Sequence, residues 1–232
     1  MAEPVPAEIR PAALHGEALA VVSERAGLFF LLNVFLALGL YGDFTDPVRR
    51  VRGLSPFALL LLLGRHWLGP DLEADPIAPL LRSLAGLGPR ERPGRDFEAP
   101  PWQVPGDWLA PWPRGRPRAF PGRFGTSRWH AGGFPIADRW RVPRSATWLR
   151  RRWVSCLARY IEARLMRAFG VEDGREAVAV LIERRGTIRV DPERVEIAFA
   201  LDAHPLAIRF AGLDRDPGWI PAAGRAIGFR FA

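Results

Sequence analysis

The heptapeptide LDRDPGW at 213–219 is the most distinctive polar cluster in the chain. Asp214 and Asp216 stand two residues apart, a spacing that resembles part of an oxygen cage for a cation. Two carboxylates make an incomplete cage, however, and Pro217-Gly218 signals a tight turn. The simpler reading makes both carboxylates turn-forming groups, with Arg215 or Arg225 as ion-pair partners. Trp219 would then pin the loop to a sheet, giving a structural corner or a contact surface.

Other groups able to do chemistry are scattered. His15, His66, His130 and His204 lie far apart and lack the i, i+4 spacing of a helical metal pair, so each reads as structural or surface. There is no phosphate-cradling P-loop, no GxGxxG turn after a strand and no GxSxG elbow. Cys156 is the only cysteine, which excludes an internal disulfide and a tetrathiolate metal site. It sits in a helical pattern and reads as a packed thiol, suited to a cytoplasmic setting. No catalytic, cofactor or metal-binding residue is expected, and the chain reads as non-enzymatic. A pocket gathering Asp214, Asp216 and His204 would revive an enzymatic reading.

The charge invites a different chemistry. Net charge is +8, but all 33 basic residues are Arg, which never titrates in the ordinary range and inflates the pI of 11.2. An Arg-only composition rich in Ala, Gly and Pro is what GC-rich codon usage produces, so the pI argues only weakly for nucleic acid. The excess is local: Arg82 to Arg150 holds 13 Arg against 5 acidic residues, and the remainder is balanced. Within the Arg-rich segment, 89–143 carries 11 Pro and five Trp, namely Trp102, Trp108, Trp112, Trp129 and Trp140. So many Pro break both helical and alternating patterns. A pure linker should be poor in aromatics. An extended arm strapped to a surface or partner by Trp anchors is the leading reading. An unstructured linker is a second reading, and single-stranded nucleic acid held by Arg and aromatic stacking a third.

Three regions must position these groups: a helical region at 1–88, the Pro/Arg/Trp-rich arm at 89–145 and an α+β domain at 146–232. The start, MAEPVPAEIRPAALHGEALA, does not read as a secretory signal. A helix is expected over 14–23, continuing into the apolar run at 26–41. That run has 16 residues with Asn33 at its middle, short of the ~20 needed to span hydrocarbon. It is read as one arm of a buried hairpin whose other arm starts at Ser55, an N-cap before Pro56. Membrane contact and an exposed docking helix are the alternatives. A third helix is expected over 77–85. In the last region, a helix runs to Gly170 with Trp153, Leu157, Tyr160, Ile161 and Leu165 on its apolar face. Strands are expected over 177–182, 187–190, 195–201, 206–210 and 227–231, forming an antiparallel sheet packed on that helix.

The run ERAGLFFLLNVFLALGLYGDF, followed by SPFALLLLLGRHWLG and DPIAPLLRSLAG, resembles the core of tape-measure-related proteins of extracellular contractile injection systems, the phage-tail-like particles. The ending LAIRFAGLDRDPGWIPAAGRAIGFRF resembles the tails of other proteins from the same gene clusters. Together these cover about 24–86 and 195–231. A ruler works by its own length, and a wholly helical chain of this size would reach only roughly 350 Å. The resemblance therefore implies an accessory or assembly component that contacts other injection-system proteins, with no catalytic residues carried over. The Trp residues of the arm and Asp214, Arg215, Asp216 and Trp219 are the candidate contacts. Neither a small-molecule substrate nor a cofactor is expected.

Overall fold

In the computed structural model the described residues are 19–43, 45, 51–97, 118–122, 125–129, 135–136 and 146–232, with the backbone alone over 118–149 and at 152. The architecture is α+β: helices packed on a mixed five-stranded sheet.

The sheet begins where a helix was expected. Leu19–Ser23 is a strand, β1, with Val21 and Ser23 buried and Ala20 and Val22 outward. That period of two is the signature of a half-buried edge strand. The apolar run that follows is not one long helix. Ala26–Phe30 forms a 3-10 turn and Leu31–Ala37 a short helix, α1, before Gly39 turns the chain at φ 59. Gly27 shows why the turn must be tight: a Cβ there would stand 2.0 Å from the Leu181 carbonyl oxygen.

The helix Pro56–Leu68, α2, forms as its sequence dictates. Ser55 accepts the Ala58 amide at 3.1 Å, Pro56 opens the first turn, and Gly69 closes the helix at φ 58. Pro70–Ala74, α3, and Ile77–Leu84, α4, follow. Asp75 lies between them and accepts from Ser23 Oγ at 2.7 Å and from the Ile77 amide at 2.8 Å. One buried carboxylate thus bonds the first amide of α4 and ties it to β1.

The arm, expected to be irregular, contains a three-stranded antiparallel sheet: Arg118–Gly122, β2; Gly125–Trp129, β3; and Pro135–Ile136, β4. Gly122 pairs with Gly125 at the end of the β2–β3 ladder. β2 is an edge strand of this sheet, where Pro121 is tolerated as it would not be in a central strand.

Ala146–Phe169 is the long helix α5, with Trp153, Leu157, Tyr160, Ile161 and Leu165 buried and Gly170 ending it at φ 70. Residues 177–182, expected as a strand, belong to a helix, α6, spanning Gly174–Ile182. Asp173 decides this locally, accepting the amides of Arg175 at 2.6 Å and Glu176 at 3.4 Å as an N-cap. The buried set Ala177, Val178, Leu181 and Ile182 then lies on one helical face. Gly186–Val190 is β5 and Arg194–Phe199 is β6, as expected. Leu206–Phe210 is another correction, a single helical turn, α7, rather than a strand. Gly218–Ile220, β7, and Arg225–Phe231, β8, complete the chain.

Strand order is β1-β5-β6-β8-β7. All neighbours are antiparallel except β6 and β8, which run parallel with Val195 opposite Ile227. The expected all-antiparallel sheet is therefore mixed: the chain leaves β6, makes α7 and β7, and returns alongside in the same sense. The described residues of 1–88 and 146–232 share this sheet and one hydrophobic core. Phe30 joins them, with its ring 4.8 Å from Phe199 and 4.9 Å from Phe229. The buried helical hairpin takes a different form from that expected. The apolar run is buried, but its 3-10 turn wedges between α6 and the sheet, while α2 packs chiefly on α4.

Candidate functional site

The crossover from β6 to β8 builds a corner that collects most of the exposed apolar surface. Five large apolar side chains are exposed among the described residues, and four of them fall in this crossover: Leu201, Leu206, Phe210 and Trp219. Phe210 is 84% exposed and Leu206 66%, while Ile208 on the same turn is fully buried. Spacing of i, i+4 puts Leu206 and Phe210 on one helical face, pointing away from the face that anchors α7. Solvent-facing apolar groups at this density mark a surface that gains by being covered.

The corner is held from beneath by polar clamps. Asn33 Nδ2 donates to the Leu213 carbonyl at 2.8 Å and to the Arg215 carbonyl at 2.7 Å. That explains the single amide in an otherwise apolar run. Asp216 Oδ1 accepts the Phe229 amide at 2.6 Å. The β7–β8 ladder ends at Gly218 opposite Ile227, so this amide lies past its last partner, and Asp216 stands in for the missing strand.

Asp214 is at the centre. Its Oδ2 accepts from Arg209 Nε at 3.0 Å and lies 3.3 Å from His204 Nε2. Both side chains are nearly sealed, His204 at 3% exposure and Asp214 at 9%. Burial of the ring, assisted by the Arg209 and Arg184 charges, pushes His204 below its usual value although Asp214 pulls the other way. The ring is thus neutral at pH 7, donates Nε2–H to Asp214, and leaves Arg209 to balance the carboxylate. Nδ1 is buried without a hydrogen-bond partner among the described residues. His204 packs 4.5 Å from Phe231, and the Arg209 guanidinium lies 5.6 Å from the same ring.

The residues singled out from sequence fare unequally. Asp214 and Asp216 do shape the corner, but neither pairs with Arg215 or Arg225. Arg215 is exposed, and the Arg225 guanidinium donates to the Asp191 carbonyl instead. Trp219 does not pin the loop to the core. Ile220 takes the inward position on β7 and Trp219 the outward one, 43% exposed. Trp129 lies on β3 opposite Arg118, and Trp102, Trp108, Trp112 and Trp140 fall outside the described residues. His204 and Asp214 are brought together, whereas Asp216 turns away to the Phe229 amide. Sequence reasoning missed Leu206, Phe210 and Arg209. The alternation of 206–210 masked the helical i, i+4 pair, although Pro205 marks a place where an N-terminus is tolerated.

Among the described residues no group of three His, Cys, Asp or Glu side chains is placed to hold a metal ion. None of their helices is long and apolar enough to cross a membrane. In comparisons with known proteins, no family model matches the chain, nor does any curated protein or solved structure.

Proposed function

We propose that this chain is a non-enzymatic accessory or assembly component of a contractile injection particle, acting in the cytoplasm through protein–protein contact at its C-terminal corner. The carrying observation is the exposed pair Leu206 and Phe210 on a helical turn whose following segment, 213–216, is clamped by Asn33 and by the Phe229 amide. A protruding aromatic on a pre-ordered base suits a binding anchor, because little conformational freedom remains to be lost on docking. The injection-particle setting rests on the resemblance of 24–86 and 195–231 to proteins of those gene clusters. Other injection-system proteins are the partners this reading calls for.

The test is a pull-down of the native complex with the Leu206→Ser, Phe210→Ser double variant. Both side chains are exposed, so the fold is retained and circular dichroism is unchanged. Loss of an interface anchor costs about 2 kcal/mol, roughly thirtyfold in affinity. Deleting the gene and imaging particles provides the independent check. Normal particles with normal cargo, or full partner recovery by the double variant, would refute the reading.

A further inference from the structure

Away from the corner, α2, α5 and α6 enclose a cleft of about 910 Å³, within the size range of small-ligand sites. Its charge is lopsided, with six Arg against Asp71, Glu162 and Glu183. Three of the Arg are matched: Arg25 pairs with Glu183 at 2.8 Å, Arg159 with Glu162 at 3.0 Å, and Arg65 with Glu73 on α3. The other three, Arg150, Arg151 and Arg175, face no carboxylate partner among the described residues. Arg150 donates to the Gly94 carbonyl and is pushed below the usual guanidinium value, first by burial and then by the charges of Arg151 and Arg92. Three unmatched guanidiniums against the single remaining carboxylate, Asp71, leave a positive excess at the cleft that favours an anion there.

The rest of the wall adds a second requirement. Trp67 lines the cleft with its Nε1 held by Glu162 at 2.9 Å, so its orientation is fixed. Leu62, Leu68 and Val178 give the wall apolar character. An anion made only of charge would leave this surface unused. Guanidinium forks match phosphate bidentately, and an indole offers a stacking face to a base.

We propose that this cleft binds a phosphate-bearing ligand of nucleotide size, either a free nucleotide or one residue of a single strand. The proposal is independent of the corner and its protein contacts. It places nucleic-acid chemistry on the folded helices, a different location from the Arg/Trp-rich arm that the sequence suggested.

Calorimetric titration of the full chain at low salt tests it, with ATP, pyrophosphate, a short oligothymidylate and hexaglutamate as probes. ATP or oligothymidylate binds saturably, and Arg151→Glu with Arg175→Glu weakens binding by roughly tenfold or more. Tighter binding of ATP identifies a free nucleotide. Tighter binding of the oligonucleotide, with an affinity that falls steeply with salt, identifies a strand. Both altered residues are exposed, and the milder Arg151→Gln with Arg175→Gln pair serves if the reversals disturb folding. The arm keeps its arginines in every variant, so binding unchanged by the reversals places the ligand elsewhere and overturns the proposal. Failure of ATP, pyrophosphate and oligothymidylate to bind, or tighter binding of hexaglutamate than of any of them, overturns it as well.

Discussion

Asn33 offers a direct test of how the corner is held. It is the only amide in the apolar run, and both of its bonds leave its own helix to reach carbonyls some 180 residues away in sequence. Each such bond contributes about 1 kcal/mol net, and the one to Arg215 is exposed and so nearer the lower end. Asn33→Leu should therefore cost about 1.5 kcal/mol, with Leu213 left holding a partly buried, unpaired carbonyl. For a chain of this size that lowers the melting temperature by roughly 3–6 °C. Asn33→Asp sharpens the argument because an ionised carboxylate only accepts, and here it would face two carbonyl oxygens. It should cost about 3 kcal/mol at pH 7, the upper end for a polar group left facing the wrong partner. The gap from Asn33→Leu should narrow near pH 4, where the acid can carry a proton. Chemical denaturation gives the free energies, and hydrogen exchange across 211–217 shows whether the loss is local. An Asn33→Leu variant within about 0.3 kcal/mol of wild type, or an Asn33→Asp variant no worse than it at pH 7, would refute the clamp.

Two further outcomes follow from close packing and burial. Gly27→Ala places a Cβ 2.0 Å from a backbone oxygen that cannot rotate away, so overpacking should cost about 3 kcal/mol, at the top of its usual range. Gly88→Ala, with nothing nearer than 3.9 Å, is the matched control and should leave denaturant midpoints almost unchanged. His204 predicts a pH dependence of known sign. Its folded value lies below the unfolded value of about 6.5, so the unfolded chain takes up the proton first and stability rises with pH. The contribution is complete above pH 6.5 and is lost as pH falls from there toward the depressed folded value. His204→Gln should flatten that part of the stability profile between pH 7 and pH 5. An unchanged slope would show that other groups set it.

Much of the architecture could be read from residues that act over a few positions. Ser55-Pro56 announces α2, Gly170 ends α5, and the alternation in RVEIAF and RAIGFRF marks β6 and β8. The LDRDPGW corner was legible as a polar turn for the same reason, since carboxylates beside Pro-Gly shape their own backbone. The misread segments are those in which neighbours decide. Leu19–Ser23 has a helical-looking context, yet it is a strand because the edge of β5 supplies its hydrogen bonds, Leu19 lying opposite Val190. The Ala177-to-Ile182 alternation matches a strand as well as a helix, and the Asp173 cap with burial against the 3-10 turn selects the helix.

The candidate corner divides along the same line. Sequence alone determined that Asp214 and Asp216 would lie in a turn and that Asn33 would be an anomaly in an apolar run. Only the tertiary structure decided that Asn33 reaches that turn, that Asp214 meets Arg209 and His204, and that Phe210 faces outward. Turn formation depends on the dihedrals and side chains of adjacent residues. Which donor meets which acceptor across some 180 residues depends on how helix and sheet pack, and no local pattern carries that.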